Sequence, residues 1–289
     1  KARRASRFFI LPVLHSEPEE WMQRITVGIV GCRGHYGQWL RSFFASQRFS
    51  QGNLCTSILG SDLDTEMTNE ELVRIADVVV FVLPLQSIAS VIQALVPLSR
   101  PNQLWIDVAS LKHDVVTHML ESQAEVVGLH PLCRPPSQLT LSGERIAVVR
   151  ARLDQWTDFV DRVLGALQVE IVETTTEEHD MMMSLVQVLP HLTSLIFLLT
   201  LEKLDANLGR CREFATPLFT NILQASERFA INDPELVTAI QFLNPSGQLV
   251  RSRAWQSLDE VVFAILQSDQ ARLSGLIRKA QVYLWAHGV

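Results

Sequence analysis

The sequence predicts an α/β fold. It has an N-terminal Rossmann-like domain, a doubly wound parallel sheet over residues 25–176, and an all-helical C-terminal dimerisation domain over 177–289. Three observations predict this. Short β-branched runs alternate with amphipathic stretches from Ile25 to Thr176, a glycine-rich turn joins the first run to the first amphipathic stretch, and beyond Thr176 apolar residues recur at helical spacing. A length of 289 residues fits two domains of ordinary size, and 47% apolar with 19% charged residues is the composition of a packed chain.

Residues 1–24 read as a leader or linker. Lys1-Ala-Arg-Arg-Ala-Ser-Arg7 and the apolar Phe8–Leu14 imitate a signal peptide, but no small-residue cleavage site follows and the charged segment Glu17–Glu20 comes at once. Strands are then expected at Ile25–Val30, Leu54–Leu59, Asp77–Leu83, Leu104–Val108, Glu125–Leu129, Arg145–Val149 and Val169–Val172, with helices at Tyr36–Ala45 and Leu153–Leu167 among the connections. Strands separated by helical stretches imply right-handed βαβ units. Thr174 and Thr175, each three residues ahead of a Glu, offer overlapping capping boxes for the first helix of the second half. Leu185, Val188, Leu189, Leu192, Leu195, Ile196 and Leu199 then follow core-facing helical spacing, with a kink expected at Pro190. Further helices are expected at Pro217–Ala230, after the Asp233-Pro234 cap, near Leu258–Gln267 and at Asp269–Ala286, with Asn244–Gly247 as a loop. So apolar a helical half calls for a second copy to cover it, hence a homodimer.

Composition removes several function classes. A net charge of −6 with scattered Lys and Arg is unlike a nucleic-acid binder. Cys32, Cys55, Cys133 and Cys211 form no CxxC pair, so neither a metal site nor a disulfide framework is expected, and reduced thiols in a cytoplasm are the default. The apolar runs Val78–Leu85 and Leu195–Leu201 fall short of the ~20 residues a membrane span requires, so no membrane partner is expected.

The turn Gly31-Cys32-Arg33-Gly34-His35-Tyr36-Gly37 is the expected dinucleotide cradle, because glycines there let the backbone turn sharply and approach a pyrophosphate. In the GxGxxG frame Cys32 holds the first place and Gly34 and Gly37 the others. Pro84, ending the third strand, joins the cofactor set. Asp62, two residues beyond Gly60 where the ribose-binding acid would normally stand, would accept the ribose hydroxyls. No Arg is expected nearby to hold a 2′-phosphate, so NAD is favoured and NADP stays open.

Ligands of such sheets bind beyond the carboxyl ends of the strands. Two of those ends carry Asp107-Val-Ala-Ser110-Leu-Lys112 and Gly128-Leu-His130-Pro131. His130, following a buried strand, is placed as a general base, and Ser110 could fix its tautomer; a backbone-satisfied loop histidine reads equally well. Asp180, Ser184, Gln187, His191 and Ser194 form a polar stripe among leucines and valines, which favours a lined cavity over a solvated edge. By default Arg228 complements the end of its helix.

GIVGCRGHYG, DVVVFVLP, DVASLK, GLHPL, TTEEHDMMMSLVQVLPH and TPLF…ERFAINDPEL, taken together, resemble the prephenate dehydrogenase family, most nearly the dehydrogenase half of the enteric bifunctional enzymes. The resemblance runs from about Arg24 to Ile240, and no chorismate mutase segment is read ahead of it. It implies NAD-dependent oxidative decarboxylation of prephenate to 4-hydroxyphenylpyruvate without a metal. It also implies His130 and Ser110 as catalytic residues, and Lys112, His191, Arg228 and Gln187 on the substrate. An intertwined helical dimer is implied as well. Leu132-Cys133-Arg134-Pro135-Pro136 and Thr220 depart from the family pattern, which opens 4-amino-4-deoxyprephenate or arogenate as substrates. A dinucleotide-binding dimer without turnover is the reading from another class. A hydroxyacid dehydrogenase would share the architecture only.

Overall fold

The computed structural model describes residues 25–47 and 55–288. The leader and Leu54, the expected start of the second strand, lie outside the described residues. The chain builds a seven-stranded sheet from β1 (Thr26–Val30), β2 (Ser57–Ser61), β3 (Val78–Phe81), β4 (Leu104–Asp107), β5 (Glu125–Pro131), β6 (Arg145–Arg152) and β7 (Glu170–Glu173). The strand order is β2-β1-β3-β4-β5-β6-β7. All neighbours run parallel except β5 and β6. The sheet is therefore mixed and mostly parallel.

The interleaved helices are α1 (His35–Gln47), α2 (Asn69–Ile75), α3 (Leu85–Leu95), α4 (His113–Leu120) and α5 (Thr157–Leu167). They cover both faces, as double winding requires. Trp39, Phe43 and Phe44 of α1 and Phe159 and Val163 of α5 pack on one side with Val27, Ile29 and Val80. Leu72, Ile88, Ile92 and Met119 pack on the other with Val79, Phe81 and Trp105. The alternation along β3 splits its side chains between two cores.

Several boundaries differ from the expected ones for local reasons. Strand β2 extends to Ser61 because it pairs residue for residue with β1 up to Val30, so the glycine turn and the exit of β2 lie side by side. Helix α5 starts at Thr157 rather than Leu153 because the Glu125 carboxylate accepts the amides of Asp154, Gln155 and Trp156 at 2.7–3.1 Å and holds them in a turn. Strand β5 continues to Pro131 because the antiparallel partner β6 keeps pairing with it, His130 opposite Ala147.

From Thr176 onward the chain is helical: α6 (Thr176–Met183), α7 (Leu189–Lys203), α8 (Leu208–Glu213), α9 (Pro217–Ala230), α10 (Pro234–Leu243), α11 (Gly247–Leu266) and α12 (Gln270–Ala286). Of the two candidate caps, Thr175 serves, its hydroxyl accepting the Glu178 amide. A single π-helical turn, Ser184–Val188, joins α6 to α7, with the Leu189 amide reaching back to the Ser184 carbonyl. The irregularity expected at Pro190 thus takes the form of a bulge just ahead of it, which fits a helix whose proline amide cannot donate. Gly247 opens α11, so the loop after Asn244 is shorter than expected and that helix longer.

A small apolar cluster of Leu85, Leu111, Val188, Ala239, Ile240 and Val250 locks the two halves together. Helix α7 buries none of its residues fully in the single chain, nor does α12, and Leu195, Ile196, Leu199, Trp255, Phe263 and Trp285 are exposed. The continuous helix Thr176–Lys203 is, at 28 residues, long and apolar enough to cross a membrane by length and composition, a point the shorter apolar runs of the sequence did not convey. Its first turns, however, carry His179 and Asp180 buried against the sheet domain, which ties the helix to protein rather than to lipid.

Candidate active site

The glycine turn is built around two positions that tolerate no side chain. Gly31 has φ +86°, and a Cβ there would stand 2.1 Å from the Val82 carbonyl oxygen; one on Gly37 would stand 2.2 Å from the Gly31 carbonyl oxygen. Gly31, not Cys32, therefore makes the tight turn. The Cys32 side chain points inward and packs on Gly60, where any Cβ would meet its sulfur at 2.9 Å, so an acid at position 60 could not fit. At Gly34 an added Cβ would find nothing nearer than 3.7 Å, so the protein's own packing does not require a glycine there, and close approach of a ligand is the remaining reason for one. His35 opens α1, whose first amides lack helical partners and suit a pyrophosphate. The residues present fit a dinucleotide. Pro84 flanks them at the start of α3.

Two expectations for this cradle change. The Tyr36 hydroxyl donates to the Cys133 carbonyl and the side chain is mostly buried, which pushes its pKa upward. It thereby anchors the loop after β5 to α1 instead of facing the cofactor. And an Arg does stand at the exit of β2: Arg33 lies across the turn from it. The Arg33 amide donates to Asp62 Oδ2 at 2.8 Å, and its guanidinium pairs with Asp64.

At the carboxyl end of β5, His130 is 4% exposed and its Nδ1 lies 2.9 Å from Nε2 of His179, itself 2% exposed. His179 Nδ1 lies 2.7 Å from Asp180 Oδ1. Asp180 is held from two sides, accepting the amides of Lys112 and His113 at 2.9 Å each, at the start of α4. Burial works against its charge, but the bonds from His179 and those two amides keep the Asp180 carboxyl below its ordinary range. An ionised Asp180 accepts only, so His179 Nδ1 carries a proton, and with His179 in its neutral form Nε2 accepts. His130 must then donate from Nδ1, which leaves its Nε2 lone pair as the basic site. Burial holds the His130 pKa well below 6.5. The arrangement is a neutral imidazole with its tautomer fixed, poised to accept a proton.

Ser110 is half-buried and makes no hydrogen bond to His130 among the described residues, so the tautomer is fixed by His179 and not by Ser110. Lys112 is likewise placed differently from the expectation: it is wholly buried and paired with Asp107 beneath the β4–β5 ends, where burial lowers its pKa and raises that of Asp107. Its ammonium group faces the protein interior, not a substrate. The packing explains Gly128, since a Cβ there would meet Lys112 Cδ at 2.9 Å.

The stripe on the long helix divides at the π turn. Asp180 serves the relay, and the Ser184 hydroxyl donates to the Met181 carbonyl at 2.6 Å. In the turn Gln187 Oε1, and beyond it His191 Nδ1, are buried with no hydrogen-bond partner among the described residues, as is Ser226 Oγ on α9. The His191 ring packs on Phe229 of α9 at 5.5 Å between centroids, and burial lowers its pKa. Arg228, in the last turn of α9, is exposed and forms no ion pair among the described residues. Arg134, from the loop after His130, donates to Asn232 Oδ1 at 2.5 Å just past α9, so this loop and the α9 end meet. His179 and Ser226 are the residues missed at sequence level. His179 was visible inside the EHD block; Ser226 gave no signal. A cavity of about 440 Å³ between α3, α4 and α10 has Asp180 in its wall but none of the expected site residues.

The family model for the nucleotide-binding domain of prephenate dehydrogenase matches residues 56–141, and that for the prephenate dehydrogenase dimerization domain matches 175–279, together about two thirds of the chain. The chain is 22% identical over 274 residues to a probable arogenate/prephenate dehydrogenase of Methanocaldococcus jannaschii, covering 89% of this chain and 60% of that protein. It is 26% identical over 215 residues to the 4-amino-4-deoxyprephenate dehydrogenase of Streptomyces pristinaespiralis, covering 74% and 72%. It is also 26% identical over 206 residues to the T-protein of Haemophilus influenzae, covering 70% and 53%. The chain thus spans little more than half the length of the first and third of these relatives. Among solved structures, the A. aeolicus prephenate dehydrogenase in complex with hydroxyphenyl propionate and NAD+ superposes with a TM-score of 0.68 at 17% identity, covering 91% of this chain and 98% of that one. Synechocystis arogenate dehydrogenase gives 0.64 at 18%, covering 91% and 100%. At such identities the superpositions speak for the fold.

Proposed function

The chain belongs to the prephenate dehydrogenase family, and from that premise we propose that it catalyses the NAD-dependent oxidative decarboxylation of prephenate to 4-hydroxyphenylpyruvate as a homodimer. The observation that carries the reading is the relay His130–His179–Asp180, which leaves one basic nitrogen at a strand end beside a cradle fit for a dinucleotide. NAD, when bound, accepts the hydride from ring C4. His130 Nε2 takes the proton of the C4 hydroxyl, so that the oxygen's electrons drive the hydride out and C4 becomes a carbonyl. Loss of the ring carboxylate as CO₂ returns an electron pair to the ring, and the resulting phenolate recovers its proton from His130. No net proton is consumed. Because Asp180 stays ionised, the imidazolium formed in passing is stabilised through His179.

Gln187, His191 and Ser226 offer unsatisfied buried polar atoms for the substrate's hydroxyl, keto and carboxylate groups, and the unpaired Arg228 offers a guanidinium fork for a carboxylate. The exposed apolar faces of α7, α11 and α12 are the dimer surface in this reading. A second reading keeps the same chemistry with an amino group at C4 or on the side chain. Arg134 in the loop after His130, and Thr220 where enteric relatives commonly carry a second Arg, favour it.

The test is to offer the purified protein prephenate, its 4-amino analogue and arogenate, each with NAD and with NADP, and to follow absorbance of the reduced cofactor with CO₂ release. The highest kcat/KM assigns the substrate. Dinucleotide binding without turnover on all three sinks the enzymatic reading.

A further inference from the structure

The glycine turn and the exit of β2 sit side by side because β1 and β2 pair in parallel through Val30 and Ser61. There Arg33 lies against two carboxylates, Asp62 at its amide and Asp64 at its guanidinium. Asp62 is locked: its Oδ2 accepts the Arg33 amide at 2.8 Å, its Oδ1 accepts the Leu63 amide at 2.9 Å, and its own amide donates to Thr65 Oγ1 at 2.8 Å. Among the described residues the Arg33 guanidinium is held by Asp64 alone, through the carboxylate and, at 3.3 Å, the carbonyl oxygen. The Gln38 side chain donates to the Arg33 carbonyl at 2.6 Å and steadies the turn beneath it.

In a dinucleotide fold the adenosine ribose lies at the exit of the second strand, where a carboxylate suits free hydroxyls and an arginine suits a 2′-phosphate. This chain carries both kinds of group there, with the arginine already engaged. We propose that the Arg33–Asp64 pair is the specificity determinant for the cofactor: Asp64 keeps Arg33 from serving a 2′-phosphate, and the chain holds a latent NADP site that the loss of one carboxylate opens. The inference rests on the dehydrogenase reading above, since it presumes that the cradle holds a dinucleotide. Both pair members are more than half exposed, so the pair itself adds little stability, and its removal leaves the fold intact. The consequence lies in recognition. A 2′-phosphate brought to the wild-type edge meets Asp62 and Asp64 beside a guanidinium already neutralised; in Asp64→Asn it meets a guanidinium whose charge is no longer neutralised, and one negative charge fewer.

The experiment is direct titration of NAD and NADP into the purified full chain, followed by quenching of tryptophan fluorescence, for wild type, Asp64→Asn and Asp64→Asn/Arg33→Gln. Wild type is expected to bind NAD at least about tenfold more tightly than NADP. Asp64→Asn should lower the Kd for NADP about tenfold while moving that for NAD by less than about threefold, and the double variant should lose the gain. An unchanged NADP affinity in Asp64→Asn overturns the proposal. So does a gain that survives the loss of Arg33, because it would come from charge removal alone. If wild type binds neither dinucleotide, the dehydrogenase reading falls and this inference with it, an outcome distinct from binding with unaltered preference.

Discussion

His130, His179 and Asp180 are no more than 4% exposed, and each is tied to the next by a hydrogen bond. Gln187 Oε1, His191 Nδ1 and Ser226 Oγ are also enclosed, yet bond to nothing among the described residues. His179 and Asp180 precede the π turn of one long helix, Gln187 lies in it and His191 follows it, while His130 and Ser226 come from β5 and α9; the two sets differ in how their polarity is satisfied. The relay is completed by the protein, largely across the domain junction, so its geometry exists before any ligand arrives. The second set leaves acceptors and a hydroxyl open, which in a folded chain costs stability unless something else supplies the missing bonds. In the proposed function the satisfied relay is the machinery, and these open atoms are the ones offered to the substrate.

The comparison can be broken most severely at His130. His130→Asn should lower kcat about 10³-fold, as loss of a positioned base does, while NAD affinity measured by titration stays within about threefold of wild type. Retained turnover would place the base elsewhere. His179→Ala removes the tautomer lock but not the base, and should cost about 10²-fold in kcat and shift the acid limb of the kcat/KM–pH profile, which a purely structural loss would leave in place.

Asp180→Asn should destabilise the protein by about 2–3 kcal/mol in denaturant titration, because two backbone amides and His179 lose an ionised acceptor. The relay also sets a pH dependence. The folded protein keeps His130 neutral, whereas the unfolded chain protonates it near its ordinary 6.5. Below that pH the unfolded state therefore binds more protons, and stability falls as acid is added and rises again toward neutrality. The His130→Asn variant should show a flatter Tm–pH curve through this range.

The smallest effects are expected on the other side. Gln187→Leu and Ser226→Ala should leave stability unchanged or raise it by about 1 kcal/mol, since a buried unsatisfied atom is removed. KM for the substrate should rise in both, with kcat less affected. Destabilisation of the same size as in Asp180→Asn would show these atoms to be structural after all.

Much of the sheet was legible because buried parallel strands announce themselves as β-branched runs, and His130 was legible because it ends one of them. The identity of its partner was not. His179 lies 49 residues away and meets His130 only when α6 packs against the start of α4, a contact that no local pattern encodes. Lys112 was misplaced for a related reason: a lysine beyond a strand end reads as a ligand group, and only the neighbouring Asp107 and the bare Gly128 reveal the buried slot it fills. Arg33 escaped notice beside Asp62 because 29 residues separate them in the chain, while parallel pairing of β1 with β2 brings them together. Helix starts at Thr175 and Asp233 were readable from their capping side chains. The start of α5 was not, because it depends on a glutamate from β5.

The bulge at Ser184–Val188 has a bearing on how the chain tolerates change in length as opposed to change in chemistry. One residue more than an α-helix needs is wound into that turn, so deleting Leu185 or Val186 there would return it to α-helical winding and leave everything from Leu189 onward facing nearly as before. An added residue, with no further bulge to take it up, would instead swing His191 by about 100° away from Phe229 and aim the greasy flank of the helix at a different neighbour, while the end holding Asp180 stayed where it is. Five residues thus act as a phase-setting spacer between two faces, and a single-residue insertion in them should be far less forgiven than a single-residue deletion.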